Sequence, residues 1–127
     1  MENKLKKLLN NSYSPYYKFN VSCVLVTKDN KEYYGVNVEN IAGINICAER
    51  NAIYNAITNG CKKGDFKEIN IMVNSNECSL PCFTCRQVMP EFFDDDVIIN
   101  CYNKNNDCNT YTLKELCPYP FKSEDLR

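Results

Sequence analysis

Pro81-Cys82-Phe83-Thr84-Cys85-Arg86-Gln87 and, upstream of it, Ile46-Cys47-Ala48-Glu49-Arg50 are the two stretches around which the chain is organised. A Cys-x-x-Cys pair that opens a helix brings both sulfurs to one side, and the helix N-terminus favours thiolate. Two thiolates leave a tetrahedral zinc shell half filled. Cys47 is the candidate third ligand, and Glu49 follows it by two residues. Three protein ligands plus a carboxylate that is not a ligand form the pattern of a catalytic zinc with one position open to water.

Apolar periodicity puts both stretches at the start of helices. Residues 47–59 carry Ala48, Ala52, Ile53, Ala56 and Ile57 at helical spacing, and Gly60 follows as a stop signal. Residues 82–93 carry Val88, Met89, Phe92 and Phe93, with Pro90 inside the run, which predicts a kink or an early end there. Residues 2–11 place Leu5, Leu8 and Leu9 on one helical face, and Pro15 closes that segment. Val-rich residues 19–27 and 32–38 flank a polar turn and predict a hairpin. Further strands are expected at 68–74, 97–102 and, after a polar turn at 103–109, a short one at 110–112, with one helical turn over 113–117. The order α-β-β-α-β-α-β-β predicts an α/β fold, a three-layer α/β/α sandwich around a mixed five-stranded sheet.

A chain of 127 residues suits one domain with one core, spanning residues 1–127. No apolar run reaches the ~18 residues of a membrane span, and the N-terminal segment lacks a signal-peptide core. Net charge is −1, with lysines near 4–7 and 62–67 forming small patches instead of a basic stripe. That predicts a small-molecule partner, with neither nucleic acid nor membrane. Nine cysteines, an odd number without a secretion signal, point to a reducing, cytoplasmic compartment with thiol ligands. The lack of any histidine excludes His-ligated metal, Ser-His and Cys-His pairs, and a histidine base. Acid–base chemistry falls to Asp, Glu, Cys, Tyr or Lys.

His or Cys, x, Glu, followed by Pro-Cys-x-x-Cys, is the arrangement of zinc nucleobase deaminases. On these residues the chain resembles the cytidine deaminase family, in its small, three-cysteine, homotetrameric form. The resemblance implies one zinc per chain on Cys47, Cys82 and Cys85. It implies hydrolytic deamination of cytidine and deoxycytidine at C4, in pyrimidine salvage, with Glu49 moving protons between water, ring N3 and the leaving amine. Three thiolates on Zn²⁺ make a centre of net charge −1, and Arg50 is placed to offset it by donating to thiolate sulfur.

The resemblance extends beyond the metal motif, over about residues 12–127. Tyr13-Ser14-Pro15-Tyr16-Tyr17-Lys18-Phe19 is similar to the family's APYSKF segment, which implies that Phe19 lines the pyrimidine pocket. Asn37-Val38-Glu39-Asn40 matches NVEN, whose Asn and Glu bind the ribose hydroxyls; here these are Asn37 and Glu39. Ala48 would offer its backbone N–H to the base. Leu116 to Phe121 and Glu124-Asp125-Leu126 resemble the family's C-terminal LLP-x-x-F…DL, which makes Phe121 a candidate to reach a neighbouring subunit's site. The chain departs from the family in residues 41–46, a loop one residue shorter and without an aromatic.

Other readings of the same residues are a structural zinc half-site or a redox pair for Cys82 and Cys85. Cys78 offers a fourth ligand that would close the site, and its spacing to Cys82 and Cys85 matches an iron–sulfur motif. Rival functions are deamination of a cytosine-containing antibiotic such as blasticidin S, a non-catalytic zinc-stabilised binding module, and RNA or DNA editing.

Overall fold

Every residue of β1, Val21–Thr27, is buried, as a strand covered on both faces requires. A computed structural model describes residues 1–126; Arg127, the last residue of the expected domain, lies outside the described residues. Around β1 stand α1 (Glu2–Leu9), β2 (Glu32–Val36), α2 (Ala48–Thr58), β3 (Phe66–Val73), α3 (Phe83–Phe92), β4 (Ile98–Tyr102), β5 (Cys108–Thr112) and α4 (Leu113–Leu116). A 3₁₀ turn at Ser123–Leu126, which no sequence signal announced, follows. The strand order is β2-β1-β3-β4-β5. β3 and β4 run parallel, and the other neighbouring pairs run antiparallel, so the expected mixed sheet is present.

Alternation along β1 divides the core. Val21, Cys23 and Leu25 face a cluster with Ala52, Ile53, Ile71 and Met89, under α2 and α3. Val24 and Val26 face the opposite side, with Leu5 of α1, Met72 and Tyr102. These two clusters are the seams of the three layers. α1 is anchored by Ser22, whose buried hydroxyl donates to the Leu5 carbonyl at 2.8 Å. On the same face a polar ladder crosses three strands. Asn70, 1% exposed, donates to Val24 O and Glu68 Oε2 and accepts from Asn100 Nδ2. Asn100 Oδ1 in turn accepts from the Thr110 hydroxyl.

α2 crosses β2 at Gly35 with no room for a side chain. A Cβ there would lie 2.3 Å from Ala48 O and 2.5 Å from Ala52 N. This close approach sets the height of the α2 N-terminus above the sheet.

Three sequence expectations are revised. α3 does not stop at Pro90 but continues to Phe92. The proline sits in the last turn, and the Phe93 N–H closes the helix on Met89 O at 2.8 Å. β5 starts at Cys108, two residues before the expected strand, because Cys108 and Asn109 pair with Tyr102 and Cys101. β2 ends at Val36, and Val38 makes only isolated bridges to Tyr13 and Ile46. Among the described residues no helix is long and apolar enough to cross a membrane.

Candidate active site

Cys47 and Cys82 are the N-cap residues of α2 and α3, both with extended backbone. The N-cap position leaves the first N–H groups of each helix unpaired, so both helices direct positive dipole ends toward the same place. Cys85, one turn into α3, donates its N–H to Cys82 Sγ at 3.5 Å. Cys47 and Cys82 Sγ are 3.7 Å apart, and the sulfurs of Cys47, Cys82 and Cys85 all lie within 4.8 Å of one another. Two sulfurs on one tetrahedral zinc stand about 3.8 Å apart, given Zn–S bonds of about 2.3 Å, so the donor set fits that ion.

The electrostatics point the same way. The hydrogen bond from Cys85 pulls the Cys47 thiol down to about 5, with Arg50 and Cys82 adding to it. The same Cys47–Cys85 interaction, with burial, pushes the Cys85 thiol up. The cluster on its own therefore holds Cys47 as thiolate and Cys85 as thiol. Ionising them together calls for a cation, and soft thiolate donors select a metal such as zinc. Arg50 Nη2 donates to Cys47 Sγ at 3.3 Å. Its Nε is buried without a hydrogen-bond partner among the described residues. Cys78 is not part of the cluster: its thiol donates to Asp107 O at 3.4 Å, toward the β4–β5 turn, so the closed four-cysteine site does not form.

Glu49, on the first turn of α2, is 5% exposed, and burial pushes its carboxyl up to about 7. It lines a cleft of about 230 Å³ together with Cys47, Ala48, Arg50 and Cys82 and with Phe19, Asn37 and Glu39. Ala48 is the first residue of α2, so its N–H has no carbonyl partner within the helix. Phe19, 40% exposed, walls the cleft.

Asn37 and Glu39 are more occupied than a sequence motif can reveal. Asn37 Oδ1 accepts from the Ser12 hydroxyl and from Val21 N, and its Nδ2 donates to Phe19 O at 2.6 Å. Glu39 Oε1 accepts the backbone N–H groups of Tyr16 and Tyr17, at 2.8 and 3.3 Å. One Asn37 N–H and the second Glu39 oxygen stay uncommitted among the described residues.

Phe121 is not brought to this cleft within the chain. Its backbone is clamped on α3 by the Gln87 amide, which donates to Phe121 O at 2.8 Å and accepts from Phe121 N at 3.1 Å. Two residues went unremarked in the sequence. Arg86 donates from Nε to Pro81 O at 2.7 Å and lies 4.5 Å over the Phe83 ring, which fixes the approach to Cys82. Asn45 lines the cleft. Its only sequence signal is its place two residues before Cys47, in the loop that departs from the family pattern.

Residues 1–101 match the family model described as "Cytidine and deoxycytidylate deaminase zinc-binding region". The cytidine deaminase of Sporosarcina psychrophila is 34% identical over 122 residues, covering 95% of this chain and 88% of that one. That of Mycoplasma pneumoniae is 33% identical over 124 residues, covering 97% and 92%. The crystal structure of cytidine deaminase from Burkholderia pseudomallei superposes with a TM-score of 0.89 at 32% identity, covering 94% of each chain.

Proposed function

Because the chain belongs to the cytidine and deoxycytidylate deaminase family, we propose that it hydrolyses cytidine and deoxycytidine to uridine and deoxyuridine, with release of ammonia, in pyrimidine salvage. The observation that carries this reading is a buried carboxyl, Glu49, two residues from one of three clustered sulfurs and lining a nucleoside-sized cleft.

Cys47, Cys82 and Cys85 would hold the zinc. When bound, zinc supplies a Lewis acid that makes water nucleophilic near neutral pH. Arg50 offsets the negative charge of the sulfurs through its contact with Cys47. The Glu49 carboxyl takes a proton from the attacking water and delivers it to ring N3. It then takes the proton of the hydroxyl now on C4 and passes it to the departing amine nitrogen, so C4 keeps the oxygen as a carbonyl and loses ammonia. A carboxyl poised near 7 is matched to both accepting and donating at neutral pH. The Ala48 N–H meets the base, Phe19 packs on the ring, and Asn37 and Glu39 take the sugar end.

This reading treats residues 1–127 as one catalytic domain. It includes a homotetramer, supported by large exposed apolar side chains such as Phe83 at 79% and Tyr119 at 94%, and by the exposure of Phe121 outside the cleft of its own chain. It places the enzyme in the cytoplasm, in keeping with nine free cysteines.

The test is metal content together with the ultraviolet loss on mixing with cytidine, for the wild-type protein and for Glu49→Gln. We expect one zinc per chain in both, conversion by the wild type, and a fall of at least about 10²- to 10⁴-fold in the variant. Faster turnover of blasticidin S than of cytidine, or an unimpaired Glu49→Gln, would overturn the reading.

A further inference from the structure

The loop at the sugar end returns on itself as a short antiparallel pair. Val38 and Ile46 exchange both backbone hydrogen bonds at 3.1 Å. The next pair outward is therefore Glu39 opposite Asn45. Directly opposed residues of this kind share a face, with Cβ atoms about 4.5–5.5 Å apart. Both line the cleft.

The Asn45 amide has only one possible orientation. Its Oδ1 accepts the Asn40 N–H at 3.0 Å, and a backbone N–H can bond only to the oxygen of an amide. Asn40 is itself pinned, with its amide bonded to Ile44 N and Ile44 O. Asn45 thus lines the same cleft as Glu39, with both Nδ2 hydrogens uncommitted among the described residues. Glu39 offers a carboxylate oxygen, Oε2, that is equally uncommitted. Asn37, by contrast, has Oδ1 accepting twice and Nδ2 already donating once.

We infer that Asn45 is a substrate-binding residue that supplies the donor half of the sugar clamp, paired with Glu39 as the acceptor half. One ribose hydroxyl donates to Glu39 Oε2, and its cis neighbour accepts from Asn45 Nδ2. The ligand class is a pyrimidine nucleoside, whose vicinal diol engages both halves in the ribo form and only one half in the deoxy form. The shortened loop provides, through an amide on its return strand, a contact that the cramped Asn37 supplies only with its single remaining N–H. The inference rests on the nucleoside deaminase reading above.

The experiment measures kcat and KM of the wild type, Asn45→Asp and Asn45→Ala with cytidine and with 2′-, 3′- and 5′-deoxycytidine. Asn45→Asp keeps the oxygen that holds Asn40 N–H, and so keeps the loop, while removing the donor. Asn45→Ala should raise KM for cytidine by about 3- to 10-fold, the effect of one neutral hydrogen bond, and Asn45→Asp, which adds a second carboxylate near Glu39, by at least as much, with kcat within about twofold. The penalty should vanish on the 2′- or the 3′-deoxy analogue and persist on 5′-deoxycytidine. An unchanged KM for cytidine, or an equal penalty on all three analogues, overturns the inference while leaving the deaminase reading intact. A wild type that turns over none of the four overturns both.

Discussion

Replacing Gly35 with alanine should damage both stability and catalysis, although it adds a single methyl group at a residue that does not line the cleft. The Gly35 backbone is not in the left-handed region, so alanine meets no conformational strain there. In a strand interior that exchange would ordinarily stabilise by about 0.5–1 kcal/mol. The space decides otherwise. The new Cβ would lie 2.3 Å from Ala48 O, 2.5 Å from Ala52 N and 3.1 Å from Ala52 Cα, where ordinary contact is 3.4–4 Å. These are helix backbone atoms, so no rotamer change relieves the clash, and α2 must rise by about 1 Å. Overpacking of this size costs about 1–3 kcal/mol. The segment that must move carries Cys47, Ala48, Glu49 and Arg50, and a shift of about 1 Å at reacting groups costs up to about 10²-fold in rate. Thermal melting should fall by about 4 °C per kcal/mol lost, and kcat/KM for cytidine by about 10- to 100-fold. A variant that melts at or above the wild-type temperature with unchanged kcat/KM would refute the packing argument.

Two other perturbations separate the layers of the molecule. Asn70→Ala removes the centre of the polar ladder and leaves the Asn100 amide without its acceptor, so it should cost about 1–3 kcal/mol in a denaturant titration. Asn70 belongs to the α1 face of the sheet, so kcat/KM should hold; a large loss of activity without loss of stability would contradict that placement. Zinc added back to chelator-treated protein should displace at least one proton per ion near pH 7. Cys47, down at about 5, is already ionised there, whereas the Cys85 thiol is held protonated and must ionise to bind. Calorimetry in buffers of different ionisation enthalpy reads this directly, and a buffer-independent heat would count against the assigned protonation states.

The metal motif and the helices that bear it were legible in the chain because their information is local. A cysteine at an N-cap, a second cysteine one turn on, and apolar residues at helical spacing depend on neighbours within a few positions. The alternation along Val21–Thr27 gave the strand but not its full burial, since burial of both faces depends on α1 and α2 arriving from distant segments. The β5 start was missed because Cys108 and Asn109 have little strand character of their own and take it from Cys101 and Tyr102.

Residue types and spacing alone determined which side chains could make a zinc deaminase: Cys47, Glu49, Cys82 and Cys85, with no histidine to compete. Tertiary structure decided which of the available groups are free to act. Cys78 is turned to the β4–β5 turn, the Asn37 amide is largely committed to its own scaffold, and Asn45 stands opposite Glu39. The physical reason is that a hydrogen-bond donor or acceptor can be used only once or twice. Its partners come from strand register and helix packing, which relate residues far apart in the chain.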